Sequence, residues 1–222
     1  MLRKETVSAE LLDNLLRLVK LPCLKNHRLV GGTALALQIG HRKSIDIDFF
    51  CDVTSDYAEI EKDVCQEFGS EVKIERYIKS SFGKGICFNL QGVKTDIFDW
   101  NNPFKFPAIH IENIPMASKE EILRMELDII TSPSEFIRFE KKDFIDLVVM
   151  LNEFPLSVMI KIYADYHPQI QKPERIIIEA LQFAELADKK PNPNMLIPLT
   201  WQDAKNILQK EINTYMKLNF DQ

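Results

Sequence analysis

In the segment Ser44-Ile45-Asp46-Ile47-Asp48-Phe49-Phe50, two aspartates alternate with apolar residues. Alternate side chains of an extended strand share a face, so Asp46 and Asp48 point one way while Ile45, Ile47 and Phe49 point the other way and pack. Two carboxylates roughly 7 Å apart along a strand repel each other without a cation, and their hard oxygens suit Mg2+ or Mn2+. An isolated D-x-D is more often a solvated acidic strand face, and the residues upstream reverse that weighting. Gly31-Gly32-Thr33 joins a strand to a helix start. There, bare glycine backbone lets phosphate oxygens approach N–H groups, and the helix dipole favours an anion. A phosphate cradle ahead of a metal-binding carboxylate pair supplies positioning and charge neutralisation, which is what phosphoryl chemistry on a nucleoside triphosphate (NTP) requires.

A third carboxylate comes from the stretch Val93 to Asp99, where Lys94, Asp96 and Phe98 alternate against Val93, Thr95 and Ile97. Asp96 at mid-strand suits a metal ligand that also draws the proton from an acceptor hydroxyl, or else a surface charge on an edge strand. Asp99 points to the opposite face. Between cradle and carboxylates lies His41-Arg42-Lys43-Ser44. Arg42 or Lys43 suits triphosphate oxygens and Ser44 a hydrogen bond beside them; equally, the four form a polar turn in which His41 orders the loop. Neither a Ser-His-Asp nor a Cys-His pattern is legible, and His27, His110 and His167 read as loop or packing residues. Cys23, Cys51, Cys65 and Cys87 lack CxxC or zinc-ligand spacing and read as reduced thiols.

The elements that must hold these residues read as mixed α/β followed by helices. Ser8 caps a helix carrying Leu11, Leu12, Leu15, Leu16 and Val19, and a short strand over Arg28 to Val30 precedes the glycine turn. Ala34 to Ile39 is a short apolar helix ended by Gly40, and Ile45 to Phe50 a second strand. A helix starting at Thr54 or Ser55 stops at Gly69, Val72 to Ile78 alternates as a strand, and Gly85 to Leu90 with Val93 to Asp99 forms a hairpin about Gln91-Gly92. Beyond the proline-bearing stretch Asn102 to Pro115, helical periods run over Ser118–Ile130, Lys141–Asn152, Ser157–Tyr166, Pro173–Ala187 and Thr200–Leu218. The expected domains are 1–116 and 117–222. The net charge of -5 excludes a protein that coats nucleic acid through its overall field, though not a local basic groove. The charged N-terminal stretch is no signal peptide and no run reaches membrane-spanning length, so the expectation is cytoplasmic, without a membrane partner.

The run Gly31-Gly32-Thr33-Ala34-Leu35-Ala36-Leu37-Gln38-Ile39-Gly40-His41-Arg42-Lys43-Ser44-Ile45-Asp46-Ile47-Asp48-Phe49-Phe50 closely resembles the AbiEii/AbiGii family of nucleotidyltransferase-like toxins. The resemblance continues in Gly92-Val93-Lys94-Thr95-Asp96, in Lys141-Lys142-Asp143-Phe144-Ile145-Asp146-Leu147, and more weakly near Thr200-Trp201. It implies a polymerase-β-like nucleotidyltransferase domain with a small mixed sheet, a C-terminal helical domain, and a toxin role in type IV toxin–antitoxin or phage-defence systems. It also implies an NTP substrate, Mg2+ or Mn2+, an RNA acceptor such as tRNA, and a cognate antitoxin. Gly31, Gly32 and Thr33 would hold the triphosphate, with Arg42, Lys43 and Ser44 beside it. Asp46, Asp48 and Asp96 would bind metal, and Asp143 would belong to the last motif, with His41 and Lys142 as accessory residues.

One position departs from the family pattern: where a lysine is usual, this chain has Glu126. Helical projection places Glu126 near the centre of an apolar arc of Ile122, Leu123, Met125, Leu127, Ile129 and Ile130, so it should face inward. An inward carboxylate needs a cation, for which Arg138, Lys141 or Lys142 are candidates. The chain is also longer than the usual spacing between Ile130 and Lys141. Two functions are therefore in play: an active nucleotidyltransferase, or a catalytically weakened module of the same fold that acts by binding nucleotide, antitoxin or another protein.

Overall fold

The computed structural model describes residues 1–80, 82–131 and 139–220, which form two compact units, Met1–Ser118 and Lys119–Gln222. Arg138 and much of the extended spacing before Lys141 lie outside the described residues. The first unit is a mixed α/β structure built on a seven-stranded sheet, and the second is helical.

In the first unit, Ser8 Oγ accepts from Leu11 N at 3.1 Å to open helix α1 (Ala9–Leu18), which buries Leu11, Leu15 and Leu18. Strand β1 (Arg28–Leu29), helix α2 (Gly31–Ile39), strand β2 (Ile47–Cys51) and helix α3 (Tyr57–Phe68) follow. The hairpin β4 (Gly83–Leu90) and β5 (Val93–Trp100) turns at Gln91-Gly92, both with positive φ, and pairs on its outer side with β3 (Val72–Ser80). The sheet order is β3-β4-β5-β2-β1-β7-β6, in which β2 and β5 run parallel, as do β1 and β7 (Ile114–Met116), while the other neighbours are antiparallel.

Four local features differ from the sequence reading. Gly31 and Gly32 form the first turn of α2 and not a loop ahead of it, Gly31 entering at a φ of 63°. Strand β2 begins at Ile47, so Asp46 lies just before it and Ile45 does not pack: it is 75% exposed. The α3 cap is Asp56, whose carboxylate accepts from Ala58 N and Glu59 N; it outcompetes the Thr54 and Ser55 hydroxyls because a charged acceptor at a helix N-terminus is the stronger cap. Finally, the proline-bearing stretch contains β6 (Ile109–Ile111) and β7, joined by Glu112 and Asn113 at φ of 50° and 66°. That two-residue turn lacks the usual Asn-Gly signature, and Pro115 inside β7 hides the strand.

The second unit contains α4 (Lys119–Thr131), α5 (Lys141–Met150), α6 (Leu156–Tyr166), α7 (Pro173–Gln182) and α8 (Trp201–Phe220). Its core holds Leu123, Leu127, Phe144, Leu147, Met159, Ile177 and Leu208. A buried ionic network crosses it. Arg124 donates to Glu121 at 2.6 Å and to Asp128 at 2.7 Å and lies 4.1 Å over the Tyr166 ring, while His167 Nε2 is 2.6 Å from Asp128. His167, expected to be an ordinary loop or packing residue, is therefore a hydrogen-bond partner of Asp128. Among the described residues no helix is long and apolar enough to cross a membrane.

Candidate active site

Parallel pairing of β2 with β5 decides which side chains meet. Asp48 and Asp96 are register partners, as are Phe50 and Phe98, so both carboxylates stand side by side on one face of the sheet. Asp46 precedes Asp48 by two positions, and Lys94 precedes Asp96 by two. The partner positions Ile47, Phe49, Thr95 and Ile97 are buried on the other face, against the apolar core of the unit. The sequence thus produces an acidic face by placing polar residues at alternate positions of two adjacent strands whose remaining residues anchor the core.

The cradle abuts this face. A side-chain Cβ at Gly31 would lie 3.4 Å from Asp48 Oδ2, and Gly31 occupies the left-handed region. The left-handed backbone favours the bare glycine found there, while an added Cβ would meet Asp48 only in ordinary van der Waals contact. Thr33 is buried, with Oγ1 2.8 Å from Ser44 Oγ and 2.5 Å from the Asp46 carbonyl oxygen. It therefore ties the first turn of α2 to the chain immediately before β2. A shallow cavity of about 290 Å³ opens beside this tie, bounded by Leu11, Ser44, Ile45, Gln91, Gly92 and Val93 among others.

Lys94 is the functional candidate that sequence reasoning passed over. Its Nζ lies 2.6 Å from Asp96 Oδ2. Burial alone would lower its pKa, but the hydrogen bond and charge of Asp96, joined by the fields of Asp48 and Asp46, raise it above the ordinary lysine value. The signal was its position two residues before Asp96 on the same strand face. The other oxygen, Asp96 Oδ1, is buried and has no hydrogen-bond partner among the described residues. A buried carboxylate oxygen without a donor is costly. Asp48 and Asp96 side by side, with Asp46 close in sequence and a buried Asp96 oxygen, form a donor set that fits a divalent cation with oxygen preference.

The remaining predicted residues are placed as follows. Ser44 joins the carboxylate site through Thr33. Arg42 is buried and donates to the Lys43 carbonyl at 3.0 Å, while Lys43 Nζ is directed to the Glu5 carbonyl and His41 is fully buried. Glu126, Lys142 and Asp143 belong to the helical unit. Glu126 is 4% exposed, in keeping with an inward-facing position, and Asp143 is likewise buried. Of the candidate partners for Glu126, Lys141 donates to Asn192 at 2.9 Å and Lys142 lies 3.6 Å from Glu140.

Comparison with known proteins adds a family. The sequence pattern described as "Nucleotidyl transferase AbiEii toxin, Type IV TA system" matches residues 15–214. Two solved structures are similar over nearly their full lengths. JHP933 from Helicobacter pylori is 18% identical with a TM-score of 0.52, covering 97% of this chain and 97% of that one. An H. pylori protein provisionally described as a nucleotidyltransferase is 18% identical with a TM-score of 0.51, covering 96% of this chain and 99% of that one. At this identity the likeness is one of fold. A search of curated proteins finds no match.

Proposed function

This chain belongs to the AbiEii nucleotidyl transferase toxin family of type IV toxin–antitoxin systems, and from that premise we propose that Asp46, Asp48 and Asp96 form the catalytic centre of a metal-dependent nucleotidyltransferase. The observation that carries the reading is the in-register pair Asp48 and Asp96, with an unsatisfied Asp96 oxygen, beside the Gly31 helix start. A bound Mg2+ or Mn2+ would neutralise triphosphate charge and polarise the α-phosphate. Gly31, Gly32 and Thr33 offer the N-terminal backbone of α2 to the triphosphate, and Ser44 extends that set through Thr33. Asp96 takes the proton of the acceptor hydroxyl. The acceptor oxygen bonds to the α-phosphorus, the bond from that phosphorus to the bridging oxygen breaks, and pyrophosphate leaves.

The acceptor we propose is RNA, tRNA among the candidates. A cognate antitoxin is the expected protein partner. Buried Glu126 favours a second reading, in which the fold binds nucleotide or antitoxin with weakened turnover. Incubation of the purified chain with α-labelled NTPs, Mg2+ and total RNA separates them. Label in RNA supports transfer, whereas Mg2+-dependent NTP binding without any labelled product supports the second reading.

A further inference from the structure

Cys51 and Asp99 are also register partners of β2 and β5, three positions beyond Asp48 and Asp96 and therefore on the opposite, buried face. They are 0% and 8% exposed. His27, from the loop before β1, is 2% exposed, and donor atoms of His27, Cys51 and Asp99 all lie within 4.8 Å of one another. Ser55, in the loop leading to α3, completes the group. Its Oγ is 2.6 Å from Asp99 Oδ1, 3.4 Å from Cys51 Sγ and 3.4 Å from His27 Nε2, and Cys51 Sγ is 3.2 Å from Asp99 Oδ1. In tetrahedral zinc coordination, metal–donor bonds of roughly 2.0–2.3 Å place neighbouring donors roughly 3.3–3.7 Å apart. The Cys51–Asp99, Cys51–Ser55 and His27–Ser55 distances lie close to that spacing, while Ser55 and Asp99 are joined by a shorter hydrogen bond.

The geometry points to a second metal site, separate from the carboxylate centre, in which His27, Cys51 and Asp99 hold a zinc-class transition ion with Ser55 Oγ or water in the fourth place. Imidazole, thiol sulfur and carboxylate form a mixed borderline donor set that favours zinc over magnesium. The charges also balance: the ion displaces the Cys51 thiol proton to solvent, and one thiolate with one carboxylate neutralises the two positive charges in a buried place. Burial holds His27 down to about 4 against the opposing charge of Asp99, so its imidazole is neutral at physiological pH. His27 Nδ1 has no hydrogen-bond partner among the described residues. Bound metal would fasten residues 52–56 to the ends of β2 and β5.

Cobalt(II) titration of the metal-free full chain tests this. The proposal expects thiolate-to-cobalt charge-transfer absorption in the near ultraviolet that saturates at one Co2+ per chain, with one proton released by that ion, and displacement of the band by Zn2+ but not by Mg2+. Cys51→Ser should abolish the absorption, and His27→Gln should weaken cobalt binding by at least about tenfold. An Asp46→Asn, Asp48→Asn double variant should retain the absorption, which makes the result independent of the proposed catalytic centre. Because a core variant can fail to fold, melting is measured alongside: Zn2+ should raise the wild-type Tm and leave that of folded His27→Gln unchanged. Absence of the charge-transfer band in wild type would overturn the proposal. So would a band surviving Cys51→Ser, since it would arise from Cys23, Cys65 or Cys87.

Discussion

Lys94→Met is the variant with the most specific expected outcome. With no divalent cation present, the Lys94 ammonium, 2.6 Å from Asp96 Oδ2, pairs with Asp96 on the acidic face, and its side chain is 43% exposed. Two unit charges at that separation attract by about 1.6 kcal/mol even at the dielectric constant of water, and partial exposure reduces the net worth of such a pair to about 1 kcal/mol. A divalent ion reaching Asp96 must break that pair and also tolerate the nearby ammonium. Removing the ammonium should therefore raise affinity for Mn2+ alone, read by its electron paramagnetic resonance signal, by roughly fivefold to tenfold. In chelator the same variant should melt below wild type, because Asp96 loses the ammonium it pairs with, and added Mn2+ should restore the difference. Lys94→Arg, which keeps the charge, should bind Mn2+ as wild type does. Unchanged or weaker Mn2+ binding by folded Lys94→Met would refute the idea that Lys94 and metal compete for the same carboxylates.

Gly31→Ala should cost about 1–2 kcal/mol in stability through the left-handed backbone, and should weaken Mg2+-NTP binding by keeping phosphate oxygens off the α2 backbone; calorimetry showing wild-type affinity would remove Gly31 from the cradle. Glu126→Lys separates the two functional readings. Raised NTP affinity or transfer points to a site weakened by loss of the family lysine, whereas lower activity and lower Tm together mean that the buried carboxylate has a cationic partner in the native fold. For His27 the pH dependence has a definite sign. Its folded-state pKa is depressed from 6.5 to about 4 by burial, so the unfolded chain binds more protons between those values. Stability from neutral His27 is fully present above pH 6.5 and falls by up to about 3 kcal/mol as pH drops through 4. Denaturant titrations of metal-free His27→Gln should show a flatter slope in that window, and an unchanged slope would assign the loss to other groups.

Much of this was legible from alternation and punctuation. The Ser8 cap, the Gly40 and Gly69 stops and the Gln91-Gly92 hairpin follow from local chemistry, because each is decided within a few residues of chain. The adjacency of Asp48 and Asp96 was not, since it depends on β2 and β5 pairing in parallel with a particular register across a long sequence separation. The same register brings Cys51 to Asp99, while His27 and Ser55 arrive from loops whose positions no periodicity encodes. Strands β6 and β7 were hidden by prolines and a turn without glycine. The inward direction of Glu126 was readable, because helical projection needs only the spacing of apolar residues, whereas its surroundings depend on tertiary packing.

The central claim is that these three carboxylates drive nucleotidyl transfer. It is tested most directly by incubating the purified protein with each α-labelled NTP and total RNA, with Mg2+ or with chelator, beside Asp46→Asn, Asp48→Asn and Asp96→Asn variants shown by melting to be folded. The account predicts label in RNA with at least one NTP, only with divalent metal, and a loss of at least about a hundredfold in each variant. Labelling that persists in chelator, or near-wild-type labelling by any folded variant, would contradict the assignment of that chemistry to Asp46, Asp48 and Asp96.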